Sequence, residues 1–145
     1  MEKEILYTRT LDKVEWASLK AALNADDFDN GRTPEQLHLS FANSAAVCFA
    51  WANGEIIGTA RVLSDGVCNA YLVDVWTQSA YRRRGIATHM LETLIRDLTG
   101  QHVYLQSDTD TVPFYTNRGF TEQPHGLSCV VGNWLDSASK INETR

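Results

Sequence analysis

No run in this sequence approaches the roughly 20 consecutive apolar residues of a membrane-spanning helix, so no membrane partner is expected. The opening residues, Met1-Glu2-Lys3-Glu4, lack the basic-then-apolar build of a secretory signal. Cysteine is scarce: Cys48, Cys68 and Cys129 are odd in number and none sits in a C-x-x-C spacing. Nothing in that set reads as a disulfide framework, and each lies in an apolar stretch. The expectation is three buried free thiols in a reducing, cytoplasmic compartment. His38, His89, His102 and His125 show no metal-ligand spacing, so no metal is expected. Positive charge is also short, with 13 Lys and Arg against 18 Asp and Glu for a net charge of −5, which weighs against a nucleic-acid partner. The phosphate motifs G-x-x-x-x-G-K-[ST] and G-x-G-x-x-G are both absent. Repeats, linkers and low-complexity segments are missing as well.

What is present is Arg82-Arg83-Arg84-Gly85-Ile86-Ala87, which follows a strand-like run and opens a helix-like one. Small residues in a strand–turn–helix junction let backbone N–H groups converge on a point. The helix N-terminus adds about half a positive charge there. Such a junction suits an anion such as a pyrophosphate, and the three arginines add charge-assisted donors. The other reading is a basic turn ahead of an amphipathic helix. A second charged feature, Asp26-Asp27-Phe28-Asp29, puts three carboxylates in four residues. It reads either as a cation-binding segment or as a solvated acidic loop that helps cap the next helix.

The length of 145 residues fits one domain, expected over 1–136 with a polar tail over 137–145. A first strand is predicted over 3–8. Asp12 with Glu15 three residues on predicts a capped helix ending near Asn24. Thr33-Pro34 starts a second helix that runs to about Asn43. Strands over 45–51 and 56–63 are joined by an Asn53-Gly54 turn. Ser64-Asp65-Gly66 turns the chain into a further strand over 68–77. Ile86, Met90, Leu91, Leu94, Ile95 and Leu98 give one apolar face to a helix over 85–98, which Gly100 stops. A short strand over 102–106 follows a helix, which predicts a parallel crossover. A short helix over 112–118 and a last strand over 127–131 complete the order βααβββαβαβ. This is an α/β fold, with a central mixed, mostly antiparallel sheet flanked by helices.

Three pieces of this chain together resemble the GNAT superfamily, the acetyl-CoA-dependent N-acetyltransferases. The hexapeptide at 82–87 matches that family's [RQ]-x-x-G-x-[GA] pyrophosphate loop. Tyr71-Leu72-Val73-Asp74-Val75-Trp76-Thr77 resembles the strand before it, and Phe114-Tyr115-Thr116-Asn117-Arg118-Gly119-Phe120 matches a later F-Y-x-x-x-G-F. The resemblance implies an acyltransferase that moves an acetyl group from acetyl-CoA, its co-substrate, to a small primary amine by direct attack in a ternary complex. It places coenzyme A along the backbone of Val75, Trp76 and Thr77 and on Arg82, Arg83, Arg84, Gly85, Ile86, Ala87 and Thr88. A further contact falls at Asp108, where many relatives carry Asn.

The same resemblance makes Tyr115 the general acid; a phenol pKa of about 10 keeps it protonated at neutral pH. An aromatic core residue is the other reading. Asp74 stands where diamine acetyltransferases carry an acid that contacts the amine, so it is a candidate catalytic and substrate-binding carboxylate. Val73 stands where those enzymes carry a second acid, and a strand carboxylate paired to an Arg remains the alternative for Asp74. Asp26, Asp27, Phe28 and Asp29 fall in the region that lines the acceptor site in such enzymes. Trp51, Trp76 and Trp134 belong either to that pocket or to the core. Two other functions stay open: a protein lysine or N-terminal acetyltransferase, and a non-catalytic acyl-CoA-binding sensor. Dimerisation is common in such folds, and a homodimer is a further expectation.

Overall fold

Burial on both faces marks the second strand as the centre of the protein: Val47, Cys48, Phe49 and Ala50 are all nearly inaccessible in a computed structural model that describes residues 4–135. Residues up to Leu105 form one compact unit and residues from Gln106 onward a second. The first contains a five-stranded sheet in the order β1-β2-β3-β4-β5. Its strands are β1 (Leu6–Thr8), β2 (Ala46–Ala52), β3 (Glu55–Ser64), β4 (Asn69–Thr77) and β5 (His102–Tyr104). The first four run antiparallel, while β5 lies parallel to β4 with His102 opposite Asn69. The parallel crossover predicted from the intervening helix is therefore present.

Helices α1 (Trp16–Ala25) and α2 (Pro34–Ala42) cover one face. Leu19, Leu23, Leu37 and Phe41 meet Val47, Phe49, Ile56 and Trp76 there in one apolar cluster. Alternation along β2 sends Cys48 and Ala50 to the other face. There α3 (Ile86–Ile95) brings Met90 and Ile86 close over Gly58, where an added Cβ would stand 3.1 Å from Met90 Cε. The second unit contains the short helix α4 (Val112–Thr116).

Local chemistry explains most boundaries. Thr33 and Gln36 form the reciprocal capping box that starts α2, with Pro34 in the first turn. Asn53 and Gly54, at φ 55° and 78°, make the tight turn between β2 and β3. The Asp65 carboxylate accepts from the backbone N–H groups of Val67, Cys68 and Asn69, which fixes the next turn and lowers its pKa to about 2.

Three expectations fail. The first helix does not start at Asp12, because Lys13 adopts φ 65° and breaks the helical path; Glu15 takes the cap position without a side-chain bond. Only Cys48 is a buried thiol, its pKa pushed up to about 11 by burial; Cys68 lies in the exposed Asp65 turn and Cys129 is exposed as well. No strand forms over 127–131. Leu127 and Val131 are 97% and 92% exposed, so the apolar pattern that suggested a strand buries nothing there. The tail expected over 137–145 lies outside the described residues.

Candidate active site

β4 pairs with β5 only over 69–71. Beyond Tyr71, the backbone groups of β4 that point away from β3 have no strand beside them in the sheet among the described residues. The strand also changes course there. Asp74 has φ 55°, and Asp74 and Val75 together oppose Ala60, a β-bulge that re-aims the last residues. Val75, Trp76 and Thr77 thus present a backbone edge with no strand on it among the described residues, its Thr77 carbonyl held by Arg82. The Thr77 hydroxyl on this stretch is buried and is the one such side-chain atom among the described residues without a hydrogen-bond partner. A buried polar atom left unpaired costs stability, so its persistence fits a ligand that supplies the missing bond.

The chain leaves β4 through Gln78, whose N–H donates to Ile57 O at 2.7 Å, and enters a 3-10 turn at Ser79–Tyr81. Arg82 Nε donates back to Thr77 O at 3.2 Å. Arg83 and Gly85 both take positive φ, 65° and 79°, and α3 starts at the next residue, Ile86. The first N–H groups of a helix have no acceptor within it, so this end offers backbone donors at Ile86 and Ala87. Arg82, Arg83 and Arg84 are exposed around it, with Arg84 lying over the Tyr81 ring at 5.3 Å. Two left-handed residues, a helix N-terminus and three exposed arginines therefore stand together at this junction.

The acidic segment after α1 is held against β4. Asp26 Oδ2 accepts from the Trp76 indole at 2.9 Å and from the Ser79 N–H at 3.2 Å. Asp27 is exposed at φ 55°. Phe28 packs against the apolar cluster beneath α1 and α2. Asp29 is buried and bonds to Lys20 Nζ at 2.8 Å; that bond chiefly lowers its pKa. Trp76 is thereby a core residue, and Trp51 is half-buried with its indole donating to Thr8.

Asp74 sits on the same face. It accepts from Arg32 Nη1 and Nη2 at 2.8 and 3.0 Å and from Arg61 Nε at 2.6 Å. Burial pushes its pKa up, but bonds and charge from Arg32, then Arg61, outweigh this and leave it lowered. Its two readings were a proton-accepting carboxylate and an Arg-paired one; the ion pair is what forms. Arg61 also donates to Ser40 O and lies over the Phe41 ring. Arg32 and Arg61 were not singled out from the sequence. A lone Arg inside the apolar run of β3 was the available signal, since Arg is almost never buried without a partner.

Asp108 and Tyr115 belong to the second unit. The Asp108 backbone carbonyl accepts from the Thr111 and Val112 N–H groups, and its side chain is exposed. Tyr115 is buried edge-on between Phe114 and Phe120, at ring distances of 5.0 and 5.8 Å. Burial raises its phenol pKa, and the nearby Arg118 charge only partly offsets this. Among the described residues, no group of three His, Cys, Asp or Glu side chains is placed to hold a metal ion.

A five-stranded mixed sheet with a bulged, half-open β4 feeding a helix N-terminus defines an acyltransferase fold of the GNAT type. Residues 10–120 match the Acetyltransferase (GNAT) family, and the chain belongs to it. A soybean (Glycine max) protein named histone acetyltransferase TAP1 is 36% identical over 75 residues, covering 50% of this chain and 32% of that protein. The chain spans about a third of the length of the first curated relatives it matches. A putative acetyltransferase from Deinococcus radiodurans superposes with a TM-score of 0.73 at 25% identity over 92% of both chains. A predicted acetyltransferase from Clostridium acetobutylicum, solved with acetyl-CoA, gives a TM-score of 0.68 at 21% identity, covering 88% of this chain and 96% of that one.

Proposed function

We propose that this protein acetylates a primary amine with acetyl-CoA, by direct attack in a ternary complex. The observation that carries the reading is the left-handed pair Arg83 and Gly85 opening α3 at the end of a half-open strand. Acetyl-CoA supplies the activated acyl group. The α3 N-terminus and Arg82, Arg83 and Arg84 hold its pyrophosphate, and the backbone edge at Val75, Trp76 and Thr77 takes its amide-bearing arm as an added strand would. One N–H of that edge stabilises the oxygen on which negative charge develops, a contact that contributes about 3–4 kcal/mol elsewhere. Tyr115 gives its proton to the departing thiolate as the carbon–sulfur bond breaks, and regains one from solvent.

The amine must shed a proton before it attacks. Asp74 is a poor recipient, because three guanidinium hydrogen bonds stabilise its ionised form. In this reading Asp74 fixes the bulge, and the amine's proton leaves through water. Asp26, Asp27, Phe28 and Asp29 border the acceptor. A protein lysine is the second reading, favoured by the likeness to a protein named as a histone acetyltransferase. Acetyl-CoA-dependent thiol release across diamines, arylalkylamines, amino sugars, aminoglycosides and lysine peptides tests both. Turnover confined to lysine peptides would select the second reading. Absence of turnover with every class would remove both.

A further inference from the structure

Asp26 joins two parts of the chain, because its two hydrogen bonds reach the strand and the turn that lead to the 82–87 loop. Trp76 is 2% exposed, and an indole N–H is a donor only, so burial obliges it to find an acceptor. Asp26 Oδ2 is that acceptor at 2.9 Å. The same oxygen takes the Ser79 N–H at 3.2 Å, the first residue of the 3-10 turn. Past Ser79, the turn is held largely by its own bonds: Tyr81 N–H to Gln78 O and Arg82 N–H to Ser79 O. The direction in which 79–85 leaves the sheet is therefore set at three points: the Gln78 bond to Ile57, the Asp26 bond to Ser79 and the Arg82 Nε bond to Thr77 O. Asp26 is itself anchored, its N–H donating to Leu23 O at the end of α1.

We infer that Asp26 is a positioning residue for coenzyme A binding: through Trp76 and Ser79 it fixes the angle at which the 82–87 loop meets β4. The inference rests on the function proposed above. It makes the acceptor-side segment a structural support of the donor site.

The experiment is calorimetric titration of the full chain with coenzyme A. The variants are Asp26→Ala, Asp26→Asn, Ser79→Pro and the double variant Asp26→Ala/Ser79→Pro. Ser79→Pro removes the N–H together with the serine hydroxyl, and Gln78 already has the extended ψ of 137° that a residue before proline needs. Asp26→Ala and Ser79→Pro should each weaken binding about three- to tenfold, the scale of one ordinary hydrogen bond. The double variant should bind no worse than Asp26→Ala, because both changes remove the same bond. Asp26→Asn keeps a carbonyl oxygen and should recover affinity to within about twofold of wild type. A general loss of folding would not be rescued in this way. Wild-type affinity in folded Ser79→Pro, or losses that multiply in the double variant, would overturn the inference. Should Asp26→Ala fail to fold, Ser79→Pro and Asp26→Asn decide the matter. Absence of coenzyme A binding by the wild type would overturn the inference together with the proposed function; binding by the wild type with no effect of the variants would overturn the inference alone.

Discussion

Arg32 grips Asp74 with both arms of its guanidinium, Nη1 on Oδ2 at 2.8 Å and Nη2 on Oδ1 at 3.0 Å. Both side chains are buried, at 8% and 5% exposure. The pair ties the loop before α2 to the bulge of β4. Removing one partner leaves the other charge buried, so Arg32→Ala should lose about 3–5 kcal/mol of stability in urea unfolding. Arg61 remains on Asp74, which places the loss toward the lower end of that range.

The same carboxylate imposes a pH dependence. Asp74 has a lower pKa folded than unfolded, so the unfolded chain binds its proton more readily. Its contribution is complete above the unfolded value of about 4 and is lost as pH falls through the folded value. The stability difference between wild type and Asp74→Asn should therefore be constant near neutrality. It should narrow as pH drops from about 5 toward 3. A gap that widens on acidification would contradict the ion-pair assignment.

Two glycines fail for opposite reasons when a methyl is added. At Gly85 there is open space but φ is 79°, so Gly85→Ala should cost about 1–2 kcal/mol through backbone strain alone. At Gly58 the backbone is unremarkable for an L-residue but Met90 Cε, Ala50 Cβ and Ile86 Cγ2 all stand within 3.1–3.3 Å of the added carbon. Gly58→Ala should force α3 away from β3, and Gly58→Val should do so more strongly, by about 1–3 kcal/mol or more. Thermal unfolding separates the two, because a truncation of Met90 should relieve Gly58→Ala and leave Gly85→Ala unchanged.

Tyr115→Phe keeps the ring between Phe114 and Phe120 and removes only the hydroxyl. Stability should change little, while kcat should fall about 100-fold or more, the usual scale of a positioned acid. Because burial raises the phenol pKa, the wild-type rate should hold past the ordinary phenol value of about 10 before the acid is lost. Full activity of Tyr115→Phe across that range would remove the acid role.

The antiparallel strands were legible because turn chemistry and alternation agree there: Asn53-Gly54 and the Ser64–Asp65 turn bracket β3, and its apolar run is buried. The phosphate loop was legible for a similar reason, since Gly85 is needed at its position and its neighbours repeat a helical period. The 127–131 segment shows the limit of that logic. Its residues favour a strand, but a strand requires a partner, and pairing is not encoded in five residues. The Arg32–Asp74–Arg61 cluster was only partly legible: Asp74 stood out and Arg61 lies in an apolar run, but Arg32 and Arg61 are 42 and 13 residues from Asp74 and nothing in the sequence joins them. Asp26 was visible as an acid beside other acids, but its bonds to Trp76 and Ser79 depend on how α1 docks on β4.

The central claim is that the 82–87 loop binds the pyrophosphate of coenzyme A. Equilibrium titration with acetyl-CoA and with acetyl-pantetheine, which keeps the thioester but lacks the pyrophosphate, tests it most directly. Several charge-assisted bonds separate the two ligands, so acetyl-CoA should bind at least about 100-fold more tightly, and the advantage should shrink as salt is raised. Equal affinity for the two ligands, or no affinity for either, would contradict the account.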